Sequence, residues 1–245
     1  MFAPEERDTV RERILAIAEA DERVVAGAVV GSLSVGSGDR WSDLDLTFAV
    51  SDAAQIAEVL ADWTTQLGSE FDAVVLFDLQ SGPTTYRVFL LPGCLQVDVS
   101  FTPAELFGPR SPRFRLVFGR AGEAPSRDPT DSRDLFGWAV VYARAGRGYI
   151  DRGRLWQAAY CIDGVRERTL ALACIRRDLE PGHGRGFDDL PPDVLDPMRG
   201  SLVPSLEPAA LLGALRAAVE GLLRESAGLG EVATKAGESL RAWVT

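Results

Sequence analysis

The stretch that decides how this chain folds is Gly31–Val50, GSLSVGSGDRWSDLDLTFAV. It follows Val24–Val30, an apolar and β-branched run that predicts a buried strand ending at a glycine. Gly31 permits a sharp turn and a close approach to a ligand, and Ser32 adds a hydroxyl and an N–H group at the mouth of that turn. We therefore expect a phosphate to dock at this turn.

A segment rich in glycine and serine, Leu33–Ser42, comes next and predicts a mobile loop over the edge of the sheet, with Arg40 available to a phosphate. From Asp43 onwards polar and apolar residues alternate with a period of two, which is typical of a strand. Asp43 and Asp45 share one face of that strand. This face must look into a cleft or solvent, because unpaired buried carboxylates repel each other and lose their solvation.

A later strand repeats the same alternation over Leu95–Phe101, LQVDVSF, and places Asp98 on its polar side. If this strand neighbours the one that carries Asp43 and Asp45, the three carboxylates form one cluster. Ligation by oxygen alone, without histidine or cysteine, suits Mg²⁺ far better than zinc or copper. The sequence thus predicts a magnesium site.

The remaining elements predict an α/β domain with a mixed sheet over residues 1–125. Its opening helix follows Pro4, and a second helix runs from Ala53 to Leu67, capped at Asp52 and stopped at Gly68. Further strands are expected over three ranges: Ala73–Leu79, Thr84–Leu91 and Leu95–Phe101. The segment from Pro103 to Pro129 is rich in proline and glycine and predicts an irregular connection.

Residues 126–245 predict an all-helical C-terminal domain, because helical spacing recurs there without strand alternation. The expected helices span Asp131–Ala145, Arg154–Arg177, Pro208–Glu225 and Glu231–Val244. Between the second and third of them, Glu180–Gly200 is rich enough in glycine and proline to predict a long loop.

Composition narrows the classes of partner. The net charge is −10, and Lys235 is the single lysine among 26 basic residues. No basic stripe of the kind that grips nucleic acid is present in the sequence, so a nucleic-acid partner is disfavoured, whereas an acidic surface suits a cationic small molecule. The three cysteines lack the spacing of a metal site and predict small core residues in a reduced, cytoplasmic protein. No apolar run approaches the length of a membrane span, so no membrane partner is expected.

Gly31-Ser32, a short loop, Asp43-Leu44-Asp45 and a third aspartate, Asp98, together resemble the nucleotidyltransferase superfamily that includes DNA polymerase beta. Within it the chain is most similar to the small bacterial aminoglycoside and lincosamide nucleotidyltransferases, which modify antibiotics. Trp41–Leu46, WSDLDL, is also typical of that group. The motif covers only about the first hundred residues.

The resemblance implies transfer of a nucleoside monophosphate, AMP from ATP, to a hydroxyl of a small cationic acceptor, with release of pyrophosphate. Asp43 and Asp45 would hold Mg²⁺, and the nucleotide would contact Gly31, Ser32, Arg40 and Ser42. Asp98 would bind a second Mg²⁺, act as the general base, or do both, and the sequence does not choose among these. Whether the protein acts as a monomer or a homodimer is equally open.

The helix from Arg154 carries a stripe that is aromatic at its start and acidic afterwards: Trp156, Tyr160, Asp163 and Glu167. One interpretation places the stripe on the acceptor, with the rings packing on a sugar and the acids binding ammonium groups, while Arg166 meets the triphosphate. The alternative buries both aromatic residues in the core and leaves the charges as a solvated face in which Asp163 pairs with Arg166 or Glu167.

Two other functions stay open from the sequence. The chain would modify a protein, as transferases of toxin–antitoxin pairs do, or it would be a catalytically silent nucleotide-binding module. Transferases of toxin–antitoxin pairs usually have a separate helical partner, whereas here the helical region is in the same chain. This arrangement favours a small-molecule substrate over a protein substrate. The intact Ser32, Asp43 and Asp45 argue against a silent module, which needs no solvated metal cluster.

Overall fold

The protein is described here by a computed structural model that covers residues 2–123 and 130–245. The residues before the gap form one compact unit and those after it form a second. The predicted boundary between residues 125 and 126 lies outside the described residues. Among the described helices, none combines the length and the hydropathy that a membrane crossing requires.

The first unit is a six-stranded mixed sheet with two α-helices. Its elements are α1 (Pro4–Ala20), β1 (Val24–Val30), β2 (Leu44–Val50), α2 (Ile56–Phe71), β3 (Val74–Ser81), β4 (Thr84–Leu91), β5 (Leu95–Pro103) and β6 (Phe114–Phe118). The strand order is β3-β4-β5-β2-β1-β6. The central β2–β5 pair is parallel and the other pairs are antiparallel. The predicted mixed α/β sheet is confirmed.

One face of the sheet packs against α1 and α2, and we call it the covered face. It is built from the apolar side of β2 and β5 that the alternation predicts: Leu44, Leu46, Phe48, Val50, Leu95, Val97, Val99 and Phe101. Trp63 of α2 closes this core, with its ring centroid 5.0 Å from that of Phe48 and 4.9 Å from that of Phe101. Its indole N–H donates to Asp21 over 3.1 Å, which satisfies the polar end of a buried side chain.

The structure corrects the predictions for the segment after Pro103 and for the second helix. The segment after Pro103 is not wholly irregular, because β6 pairs with β1 at the sheet edge. The pairing is remote in sequence and the strand has only five residues, so no local pattern revealed it. The second helix also continues past Gly68 to Phe71 and is capped by Asp72, in the left-handed region at φ 51°, because Phe71 gains contact with the core.

The second unit is helical, as predicted: α3 (Ser132–Asp151), α4 (Leu155–Ile175), α5 (Pro192–Met198), α6 (Pro208–Glu225) and α7 (Glu231–Val244). The short α5 corrects the predicted long loop. Pro192 stands in its first turn, where a proline is tolerated, and Val194 and Met198 are buried in a small cluster with the end of α4.

The structure confirms the expected core role for two of the three cysteines. Cys161 and Cys174 are buried, which confirms their expected role as small core residues. Cys94 is exposed in the turn before β5, at φ 64°, which contradicts that role. Its position is set by the tight connection between β4 and β5 rather than by packing.

Candidate metal and phosphate site

The face of the sheet opposite α1 and α2, which we call the open face, brings the three aspartates together. β2 and β5 run parallel with Asp45 directly opposite Asp98, and Asp43 lies one residue before β2. One carboxylate oxygen from each residue lies within 4.8 Å of the others, and all three side chains are partly exposed. Three hard oxygen donors at this spacing can hold a Mg²⁺ ion.

Gly31 lies against this cluster at a position with little room for a side chain. Its φ is 69° and its ψ is −154°, a backbone conformation that essentially only glycine adopts. A Cβ atom built at this position would lie 2.1 Å from Oδ2 of Asp45. The glycine is therefore favoured twice, by its backbone conformation and because a side chain there would have to displace the Asp45 carboxylate.

The loop that follows begins with a single helical turn, Ser32–Val35, so the expectation of a mobile loop throughout Leu33–Ser42 is wrong at its start. Ser34 is buried, and its hydroxyl donates to the Gly31 carbonyl over 2.7 Å. The Ser32 carbonyl accepts from the N–H of Ser37 over 3.1 Å. These bonds fix the turn that bears Ser32 beside the acid cluster.

The end of the loop is a second closed turn, Asp39–Ser42. The Asp39 carboxylate accepts the Trp41 N–H over 2.8 Å and the Ser42 hydroxyl over 3.1 Å. The N–H of Trp41, followed by the hydroxyl of Ser42, lowers the pKa of Asp39. The Ser42 hydroxyl donates within this turn, and its contact with the nucleotide stays a prediction. The guanidinium of Arg40 lies over the Trp41 ring, 4.5 Å from its centroid.

The surroundings of Asp98 favour the protonated form of its carboxyl. Burial raises the pKa of its carboxyl, and the nearby charge of Asp43 raises it further, against the opposing effect of Gln96. The Gln96 amide donates to both Asp98 oxygens, over 2.9 and 3.1 Å. The alternation in Leu95–Phe101 puts Gln96 on the polar side with Asp98, but nothing in the sequence indicated that it binds this carboxylate.

Arg7 is the other residue that the sequence did not indicate. It lies on α1, is 4% exposed, and donates from Nη1 to the carbonyls of Asp39 and Ser42 over 2.6 and 3.1 Å. No sequence pattern connects a residue of the opening helix with a turn more than thirty positions later.

The candidate acceptor stripe lies on α4 in the second unit. Trp156 and Tyr160 are 78% and 66% exposed, so the interpretation that buried them in the core is wrong. The other half of that alternative is confirmed, since Asp163 pairs with Arg166 over 2.9 Å. Arg166 also donates to the Ser201 carbonyl, and Glu167 pairs with Arg168. A contact between Arg166 and a triphosphate stays a prediction.

A hollow of about 450 Å³ borders this stripe within the second unit. Its lining combines one exposed aromatic side chain, one ion pair and aliphatic residues: Trp156, Asp163, Arg166, Leu202, Val203 and Leu206. Tyr160 stands outside the hollow against the edge of Tyr142, with 5.9 Å between the ring centroids. The second unit therefore exposes aromatic surface that its own core does not use.

Comparison with known proteins adds little to this geometry. No family model matches the chain, and no curated protein matches it in sequence. Among solved structures, the chain is similar to an aminoglycoside 6-adenyltransferase from Bacillus subtilis, at 12% identity over 94% of each chain and a TM-score of 0.40. A likeness of this size supports no conclusion about activity, and the function must be argued from the acid cluster and the turns around it.

Proposed function

We propose that this protein is a nucleotidyltransferase that moves a nucleoside monophosphate, AMP from ATP, to a hydroxyl of a small cationic acceptor of the aminoglycoside type and releases pyrophosphate. The observation that carries the proposal is the cluster of Asp43, Asp45 and Asp98 within 4.8 Å on the open face of the sheet. The contact between Gly31 and Asp45 supports it, because it joins the predicted phosphate turn to the metal ligands.

The donor set fits Mg²⁺, since it consists of carboxylate oxygens from two neighbouring strands. Bound there, Mg²⁺ would neutralise phosphate charge and polarise the phosphorus under attack. Ser32 and the N–H groups of its turn then bind the outer phosphates, while Arg40 supplies a positive charge on the same loop. Together these groups orient the triphosphate for in-line displacement.

Asp98 is the residue suited to take the proton from the acceptor hydroxyl. Its carboxylate lies in the acid cluster, and Gln96 holds both of its oxygens in one orientation. The hydroxyl oxygen attacks the α-phosphorus as its proton passes to Asp98, and the bond to the pyrophosphate oxygen breaks. Asp98 can serve as a metal ligand in the same complex.

We assign the acceptor to the α4 stripe of Trp156, Tyr160, Asp163 and Glu167. The exposure of both aromatic side chains supports this, since a sugar ring packs well on an open aromatic face. The acidic net charge of −10 favours a cationic acceptor by attracting it over long range. A Trp156→Ala variant should raise KM for the acceptor and leave KM for the nucleotide unchanged.

The direct test measures pyrophosphate release with Mg²⁺ and each nucleoside triphosphate against a panel of aminoglycosides and lincosamides. In Asp45→Asn we expect roughly a thousandfold lower rate with the fold retained, because losing a metal ligand forfeits several kcal/mol of charge stabilisation. Asp72→Asn is the matched control, since Asp72 is an exposed helix terminus in the left-handed region, where asparagine is tolerated. Full activity in Asp45→Asn would refute the proposal. Tight Mg–nucleotide binding without turnover would instead favour a protein acceptor or a silent module.

A further inference from the structure

Arg7 is a buried cation that the proposed chemistry does not use. Its side chain is 5% exposed, and the nearest carboxylate oxygen among the described residues, Oδ1 of Asp8, lies 3.9 Å from Nε. That oxygen already accepts from Arg11 over 2.7 Å. Nε of Arg7 is buried without a hydrogen-bond partner among the described residues. Burying a cation without a close carboxylate partner costs folding free energy. The hydrogen bonds that the guanidinium does make therefore indicate its role.

What it holds is the Asp39–Ser42 turn, at both ends. Nη1 donates to the carbonyl of Asp39, the first residue of the turn, and to that of Ser42, the last. The turn itself is closed by the Asp39 carboxylate, which accepts from the Trp41 N–H and the Ser42 hydroxyl. Arg7 therefore ties a preformed turn to α1, and α1 is anchored in the core by Val10, Ile14 and Ile17.

This tie matters because of where the turn ends. The Ser42 carbonyl belongs to the peptide unit that leads into Asp43, and that unit is planar, so a bond to its oxygen orients the start of Asp43. Asp45 and Asp98 are fixed by the β2–β5 pairing, whose first partners are Leu44 and Val97. Asp43 lies just outside that pairing. Of the three carboxylates, it is the one whose backbone depends on the turn.

We propose that Arg7 is the positioning residue for Asp43, and that it sets the affinity of the acid cluster for a divalent cation through the Asp39–Ser42 turn. This inference rests on the proposed function in one respect, namely that Asp43 is a metal ligand. Groups that orient metal ligands commonly change metal affinity by about 10- to 100-fold when they are removed. Arg7 touches neither the cation nor the substrate in this role.

The experiment measures Mn²⁺ binding by the full chain, without nucleotide or acceptor, by electron paramagnetic resonance. Arg7→Met keeps an unbranched, apolar stem and removes the guanidinium donors, and we expect it to weaken Mn²⁺ binding by about tenfold or more. Arg7→Lys retains a cationic donor and should recover part of the affinity. Arg11→Met is the matched control, since Arg11 lies one turn along α1 and bonds to Asp8 on the surface; it should bind Mn²⁺ as the wild type does.

A double-mutant cycle with Asp43→Asn separates positioning from general destabilisation. If Arg7 acts through Asp43, Arg7→Met should weaken Mn²⁺ binding much less in the Asp43→Asn background than in the wild type. An equal loss in both backgrounds, or wild-type affinity in Arg7→Met, would overturn the inference. Should Arg7→Met fail to fold, Asp39→Ala opens the same turn from an exposed position and must also weaken Mn²⁺ binding; unchanged affinity there refutes the inference.

The outcome for the wild type distinguishes this inference from the proposed function. A wild-type chain that binds no Mn²⁺ contradicts the metal site and the proposed function with it. A wild-type chain that binds Mn²⁺, together with an Arg7→Met variant that binds it equally well, contradicts only the role of Arg7.

Discussion

The covered and open faces of the sheet are made by alternate residues of the same strands, yet their roles differ. The covered face forms the core, and the open face carries the acid cluster. On the covered face, Leu44 and Leu46 are almost completely buried against α1 and α2. On the open face, Asp43 and Asp45 are partly exposed and lie within 4.8 Å of a third carboxylate. Neighbouring residues thus differ in environment only because a strand turns successive side chains to opposite sides.

The comparison shows how a rigid support and a strained site are combined. The covered face supplies apolar burial and holds β2 and β5 in register. The open face gathers like charges whose repulsion and desolvation cost stability, as the raised pKa of Asp98 records. The covered face therefore stabilises a cluster of like charges that the open face alone would not hold together. Local strain of this kind is common at binding sites.

The largest effect is expected from a substitution at Asp98, on the open face. Asp98→Asn should lower the rate of nucleotidyl transfer by roughly 10²- to 10⁴-fold, the usual contribution of a general base. The same substitution should stabilise the metal-free fold at neutral pH, because it removes a carboxylate whose charged form is disfavoured by burial and by Asp43. Rates of pyrophosphate release and urea unfolding measure the two effects.

The pH dependence of that stability gain follows from the direction of the shift. The folded-state pKa of Asp98 is raised, so its penalty is full above that pKa and disappears as the pH falls below the ordinary aspartate value of about 4. The gain in Asp98→Asn should therefore vanish in unfolding experiments at about pH 3 to 4. A gain of the same size there would mean that it does not come from the charge of Asp98.

The next effect breaks the covered face at Trp63. Its indole is 2% exposed and packs on Phe48 and Phe101, so Trp63→Ala should cost about 3–5 kcal/mol of the free energy of unfolding. Trp138→Ala is the control, because Trp138 is 58% exposed and its loss should change stability by less than about 0.5 kcal/mol. Equal losses in denaturant unfolding would contradict the core that we describe.

A smaller effect is expected at Gly31, next to the open face. Gly31→Ala should cost about 1–3 kcal/mol of unfolding free energy, and it should also weaken Mn²⁺ binding by displacing the Asp45 carboxylate. Gly36→Ala offers a control with the same φ of 69° but open space around the added methyl group. It should cost about 1 kcal/mol and leave Mn²⁺ binding unchanged. Equal Mn²⁺ affinities in the two variants would show that Asp45 tolerates the methyl group.

The smallest effect is expected from a substitution that removes a polar pair on the open face but outside the acid cluster. Ser100 is 5% exposed, and its hydroxyl donates to that of Thr47 over 2.9 Å. Ser100→Ala should cost about 1 kcal/mol of unfolding free energy and leave transfer unchanged, since the pair holds no predicted ligand. A large loss of activity in a stable variant would extend the functional part of the open face beyond the three aspartates.

Much of the first unit could be predicted because its strands are strongly patterned. The alternation in Leu44–Val50 and Leu95–Phe101 predicted both faces, and the helical spacing after Pro4 predicted α1. What escaped prediction depended on remote contacts. The strand β6 exists through its pairing with β1, α5 through the cluster that buries Val194 and Met198, and the end of α2 through the core contact of Phe71.

The sequence was enough to predict the groups that the candidate site offers: a glycine-serine turn, an Asp-x-Asp strand and a third aspartate on a strand of the same period. It could do so because residue type and spacing along one strand decide which side chains share a face. Three contacts are visible only in the folded unit: β2 and β5 are parallel neighbours, Gly31 touches Asp45, and Arg7 holds the turn before Asp43. Each of these contacts joins segments far apart in sequence, and their distances are set by the packing of the whole unit rather than by any local preference.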